Sequence, residues 1–205
     1  MFIESDGVIY KFTSPVYKKE LEILKPDRFE DFEMISLSSD VFYIKYTWLD
    51  SIRLYDKIIS KKQTSISFII DHKRNILLIF SDSESKINHL LATIKYYLDS
   101  ELEKIDVFNL FLKDKKQIND FKISSLDIND TNGLKTINLI DLKNRKYKDF
   151  INKNYNNITS FTIQINNSYI HIDKSSLIGV PNNSDKQKVL EFLKGVDSHL
   201  VQSSS

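Results

Sequence analysis

The chain has 205 residues, 29 basic against 28 acidic, for a net charge of +1, and 41% of its residues are hydrophobic. That composition belongs to a globular protein with enough apolar material for one substantial domain or two small lobes, and it generates no global field to attract nucleic acid or an anionic membrane. Cysteine is absent, glycine occurs four times and proline three times, which excludes disulfides, thiolate catalysis, cysteine-based metal sites and glycine-rich phosphate loops.

The first residues, "MFIESDGVIYKF", carry acids where a signal peptide needs a basic region, so a cytoplasmic protein is expected. They alternate around Asp6-Gly7, which predicts a hairpin turn. Ser14-Pro15 predicts a helix start, with a short helix from Pro15 to Lys25 ending before Pro26. A connector follows, with a strand expected around Met34 to Leu37. "DVFYIKYTW" is rich in aromatic and β-branched residues and predicts a strand over Val41 to Tyr46.

Thr47 and Asp50 then offer a cap, and Leu49, Ile52, Tyr55, Ile58 and Ile59 recur at helical spacing, so a helix is expected there. Strands are predicted at Ser65 to Ile70 and Ile76 to Phe80. The clearest helix comes next, with Ile87, Leu90, Leu91, Ile94, Tyr97, Leu98, Leu102 and Ile105 on one stripe and Ser81 with Glu84 as its capping box. Two strands about Asn132-Gly133 follow, with Phe121, Ile123, Ile128, Ile137 and Leu139 as candidate core. "KNRKYKDFINKNYNNI" is expected to be helical. A hairpin from Phe161 to Ile172 and a closing helix with Val189, Leu190, Phe192, Leu193 and Val196 facing inward complete the chain. The cap expected for that helix is Ser184 with Gln187, and "VQSSS" reads as a frayed tail.

These elements give an α+β fold: mostly antiparallel sheet with helices on one face, built from recurring strand-strand-helix units. A boundary near 110 would separate an N-terminal lobe, 1–110, from a C-terminal lobe, 111–200, packed as one unit, with 201–205 as the tail. Ser65 to Leu98 and Ser160 to Val196 carry a layout that resembles the TATA-binding-protein-like fold, in which strand-rich repeats end in a long helix. The resemblance covers about a third of the chain and is one of topology, so it implies two similar lobes and transfers no functional residues.

Groups with chemical potential are scattered. His72, His89, His171 and His199 stand in no metal-ligand spacing, and a solvated or hydrogen-bonded state is expected for each. "DINDTNG" from Asp127 has the glycine displaced from its place in a calcium loop and lacks the closing glutamate, so a polar turn is the expectation. Asp71-His72-Lys73 has the acid-x-lysine form of a metal-dependent nuclease, with Asp27 as a partner, but four further acid-x-lysine pairs match as well. Asp71 is expected to be solvated at a hairpin tip. No catalytic residue, metal or cofactor is assigned.

Two binding surfaces remain. Phe42, Tyr43 and Trp48 in an aromatic-rich strand, with Phe29 and Phe32 in the neighbouring "RFEDFE", are candidates for contacting a protein partner or a second copy. Lys143, Arg145, Lys146, Lys148 and Lys153, interleaved with Tyr147, Phe150 and Tyr155, are candidates for nucleic acid. The first reading is preferred: a non-enzymatic, non-membrane binding or assembly component.

Overall fold

The computed structural model describes residues 6–22, 28–54, 57–81, 83–113, 122–131, 133–139, 144–165, 168–180 and 186–203, with backbone alone at 51–54, 57–61, 113, 144–148, 168, 186, 199 and 201–203. The fold is mixed α+β, and its strand pairings are antiparallel. The chain divides into two units, Val8–Lys104 and Met1–Gly7 with Ile105–Ser205.

The first unit holds β1 (Asp6–Phe12, from Val8 onward), α1 (Lys18–Glu22), β2 (Glu30–Ser36), β3 (Val41–Leu54), β4 (Lys57–Asp71), β5 (Ile76–Phe80), α2 (Glu84–Leu98) and β6 (Leu102–Lys104). Its strands lie in the order β2-β3-β4-β5-β1, and β6 pairs with β1. Directly opposed residues share a face. One face therefore carries Phe42, Ile44, Tyr46 and Trp48 of β3 with Ile70, Phe68 and Ile66 of β4. Helix α2 buries Ile87, Leu90, Thr93, Ile94 and Leu98. Four of these are large and apolar, each stabilising by about 1.5–3 kcal/mol.

The other unit contains α3 (Val107–Lys113), β7 (Lys122–Asp130), β8 (Gly133–Asn138), α4 (Asn144–Asn154), a 3-10 turn (Tyr155–Asn157), β9 (Ile158–Ile165), β10 (Ser168–Asp173), β11 (Ile178–Gly179) and α5 (Lys186–Ser203). Its strands run β11-β10-β9-β7-β8, and Asp6 and Gly7 pair with Gly179 and Ile178. Phe161 of β9 meets Phe108 and Phe111 of α3, and Phe111 stacks on Phe192 of α5. Those rings join the two helices to one face of the sheet.

Several expectations are corrected. Asp6-Gly7 lies within β1 and is not a hairpin turn. The helix expected through Leu49, Ile52, Ile58 and Ile59 is instead the far half of a long β3–β4 hairpin, paired from Val41↔Asp71 to Leu54↔Lys57; Tyr55 lies outside the described residues. Ladder pairing of β-branched residues, and opposed charges at Asp50↔Lys62, outweigh the helical spacing. Helix α1 begins at Lys18 and not at Pro15, and is described to Glu22; the expected remainder, 23–25, lies outside the described residues. Helix α2 ends at Leu98, where Asp99 adopts the left-handed conformation at φ 46°, so Leu102 and Ile105 leave its stripe. Its N-cap is Ser83, not Ser81; the Ser81 hydroxyl accepts the Ser83 N–H at 3.1 Å. Helix α5 continues through Val201 to Ser203, where a frayed tail was expected. Ser184 and Phe121 lie outside the described residues. Strand-strand-helix does recur, as β4–β5–α2 and as β9–β10–α5, but β11 intervenes before α5.

Candidate protein-binding surface

Strand β2 lies at the end of the strand order, and among the described residues its only pairing is with β3. The Leu37 N–H donates to the Val41 carbonyl and the Leu49 N–H to the Phe29 carbonyl. Those bonds fix the phase of the ladder: odd-numbered residues bond towards β3, and even-numbered residues direct N–H and C=O outward. Phe32, Met34 and Ser36 thus present main-chain groups along an open edge. Beside that edge lie Phe29 (54% exposed), Ile35 (50%), Met34 (38%) and Leu49 (39%). Asp31 and Glu33 are exposed on the same strand as Ile35.

The strand is fastened to the body of the unit by aromatic and polar contacts. Phe32 stacks on Tyr46 at 4.7 Å between ring centroids and meets Tyr97 edge-on. The Tyr46 and Tyr97 hydroxyls donate to the two oxygens of Glu30, at 2.6 and 2.8 Å. The same Tyr46 oxygen is 3.3 Å from His89 Nε2 and 3.4 Å from Thr93 Oγ1. Burial, and then the hydrogen bond that the phenol donates to the Glu30 carboxylate, push the Tyr46 phenol well above its usual pKa. Trp48 stacks against Tyr46 and His89. On the opposite face, one cross-strand row runs Ile35, Tyr43, Ile69, Leu78, Ile9. It is fully buried at Ile69, Leu78 and Ile9 and reaches solvent at Ile35.

The long hairpin adds a second open edge. Strand β2 reaches only to Glu30↔Trp48, and β5 only to Phe80↔Ser67. Leu49–Leu54 and Lys57–Gln63 are therefore paired with each other and, among the described residues, with no third strand. Six residues beyond Trp48 extend for about 20 Å at ~3.3 Å each. A β-bulge interrupts the register between Ile52 and Arg53, and such a bulge sharpens the local twist.

The candidate residues therefore divide. Phe42 and Trp48 are core, at 4% and 6% exposure. Tyr43 and Phe32 are half-buried, the Tyr43 hydroxyl donating to Ser67 Oγ at 2.9 Å. Phe29 is exposed. Reading the sequence did not single out Met34, Ile35 or the Lys57–Gln63 edge; the alternation in "RFEDFEMIS" was the signal for a strand starting before Met34.

Of the basic candidates, Lys143 lies outside the described residues. Arg145, Lys146 and Lys148 fall on α4, and Lys153 is exposed near its end. Ile151 is buried, Phe150 is half-buried and Tyr155 donates a hydrogen bond to Asn109.

Asp71 is not solvated: its side chain is 1% exposed and pairs with Arg74 at 2.5 Å, so it closes the β4–β5 turn instead of facing a cleft. Asp27 lies outside the described residues. Asp127 sits in β7, taking hydrogen bonds from Ser160 and Thr136 at 2.5 and 2.6 Å. Burial alone would raise its pKa, but those bonds and the nearby His171 bring it below the usual value. Among the described residues no three histidine or carboxylate side chains gather where they could hold a metal ion, and no helix is long and apolar enough to cross a membrane.

The sequence matches no protein-family model and no curated protein.

Proposed function

We propose that this protein is a non-enzymatic binding or assembly component, residing in the cytoplasm, that contacts a protein through the β2 margin of its first unit. The observation that carries this reading is the coincidence of an open main-chain edge on β2 with exposed Met34 and Ile35 on that strand and exposed Phe29 in the turn just before it. Edge strands unused for binding are commonly blunted by charge or proline. Here Asp31 and Glu33 alternate with large apolar residues, which suits selective strand addition better than simple repulsion.

Light scattering of the purified protein, alone and with single- and double-stranded nucleic acid, tests it. Ile35→Asp and Phe29→Ser are expected to abolish association while the circular dichroism spectrum is retained. Salt-sensitive retention of nucleic acid, lost when Lys143, Arg145 and Lys146 become glutamate, would replace this reading with nucleic-acid binding. A protein that stays monomeric and binds neither would overturn both.

A further inference from the structure

The open edge of β2 sets narrow conditions on anything that pairs with it. An added strand must offer main-chain groups to Phe32, Met34 and Ser36, and it must keep acids away from Asp31 and Glu33. Strand β2 itself meets both conditions when a twofold axis normal to the sheet sets a second copy antiparallel to it. The outward residues are spaced evenly about Met34, so that rotation brings outward groups onto outward groups.

Phase and charge then select one register. Twofold axes at Asp31, Phe32 or Glu33 each set an acid directly opposite an acid, which is destabilising. An axis at Ile35 or Ser36 would set Phe32 or Met34 opposite Ser38, whose N–H already donates to the Val41 carbonyl at 3.2 Å. An axis at Met34 avoids both faults. It pairs Phe32 with Ser36 and Met34 with its own copy, so the outward N–H and C=O groups of all three residues are used. Glu33 then stands opposite Ile35, and Asp31 opposite Leu37. The two Glu33 side chains are diagonal neighbours, and each has Lys45 directly across from it on β3. At either end, exposed Arg28 and Phe29 come beside the partner copy's 38–40 turn, which carries Asp40 with its side chain 39% exposed. Opposite charges therefore flank an apolar centre.

We propose that the occupant of the β2 edge is the β2 edge of a second copy, with Met34 on the twofold axis, joining the sheets of two first units into one. This rests on the proposed function above and names its partner. The contact is isologous, so it closes as a dimer and leaves no β2 edge free to extend a filament.

The chain has no cysteine, so a single introduced thiol reports on its own position. Across a hydrogen-bonded antiparallel pair the Cα atoms are about 5.5 Å apart, within disulfide reach. Ile35 and its copy, as diagonal neighbours, are about 7–8 Å apart, beyond that reach. Wild type is expected to dimerise by light scattering. Met34→Cys is expected to give a covalent dimer on mild oxidation, at least about tenfold faster than Ile35→Cys. Met34→Pro removes an outward N–H and no bond to β3, so it is expected to be monomeric with an unchanged circular dichroism spectrum. Ile35→Asp, which would face Glu33 of the partner copy, gives the same readout should proline disturb the strand.

The ways to fail are distinct. A dimer that cross-links through Ile35→Cys and not through Met34→Cys overturns the axis at Met34. A dimer weakened by Ile35→Asp but cross-linked by neither thiol overturns the strand pairing and leaves the β2 margin standing. A dimer that no variant changes overturns the margin as well. A monomeric wild type overturns the second copy as occupant and leaves the margin to a different protein.

Discussion

The Tyr46 hydroxyl donates to Glu30 Oε1 at 2.6 Å, joining the edge strand β2 to β3 beneath helix α2. A hydrogen bond to a charged acceptor contributes more than a neutral one. Tyr46→Phe keeps the ring stack with Phe32 and Trp48 but leaves Glu30 without this donor. A loss of about 1.5 kcal/mol is expected in chemical denaturation. The pH dependence follows from the raised phenol pKa. The contribution of Tyr46 is whole below about pH 10, the value in an unfolded chain. It fades as pH rises from there through the higher folded value. Tyrosinate absorbance should show this phenol resisting titration until the fold is lost.

Arg74 neutralises a carboxylate with almost no contact with water. Arg74→Ala would strand Asp71 at 1% exposure, and a cost of about 3–5 kcal/mol is expected. Asp71→Asn should cost less, because Oδ1 could still accept the Arg74 N–H, now 3.1 Å away. Thermal melts of the two variants and wild type give the ranking; a milder loss in Arg74→Ala than in Asp71→Asn would contradict it.

Asp127 is expected to shape the acid limb of stability. Its folded pKa lies below the unfolded value of about 3.9, so its contribution is present above that pH and is lost as pH falls through the folded value. Ser160→Ala removes one of the bonds that lower it. The carboxyl-carbon resonance of Asp127, followed by NMR titration, should then move to a higher midpoint, with acid unfolding beginning at higher pH.

Trp48 and Tyr43 should behave differently. Trp48→Ser removes a buried ring stacked on His89 at 4.5 Å, with an expected cost of about 3–5 kcal/mol and loss of cooperative melting. Tyr43→Ser gives up a half-buried ring and its bond to Ser67 and should leave the fold intact. Circular dichroism and light scattering on the pair distinguish a core role from a binding role at each position.

Gly133 begins β8 at φ +103° with nothing within 4 Å of where a Cβ would stand. Gly133→Ala should therefore cost about 1 kcal/mol through backbone strain alone, without disturbing neighbouring side chains.

Elements with strong local patterns were legible from sequence. The stripe from Ile87 to Leu98, the apolar run Ile76–Phe80 and the hairpin strands β7 and β8, paired up to Asp130↔Gly133, each carry their own local pattern; Asn132, expected in the turn between those strands, lies outside the described residues. Elements defined by distant partners were not. Strand β6 has three residues and β11 two, too few for any period, and both exist because of neighbours in the ladder. The far half of the β3–β4 hairpin was read as a helix because Leu49, Ile52 and Ile58 satisfy either geometry and only pairing decides between them. The burial of Phe42 and Trp48 was not legible for a related reason: alternation says that Phe42 and Tyr43 face opposite ways, but not that α2 would cover the side bearing Phe42 and Trp48.

Asp6 and Gly7 find their ladder partners at Gly179 and Ile178. The unit containing that pairing draws on residues from both ends of the numbering, whereas Val8–Lys104 is a single uninterrupted stretch. On the ribosome the uninterrupted stretch can acquire its structure as soon as it emerges, while the opening residues wait for more than 170 others to be translated. Such late, long-range closure slows folding and should make this pairing the last to gain protection from hydrogen exchange.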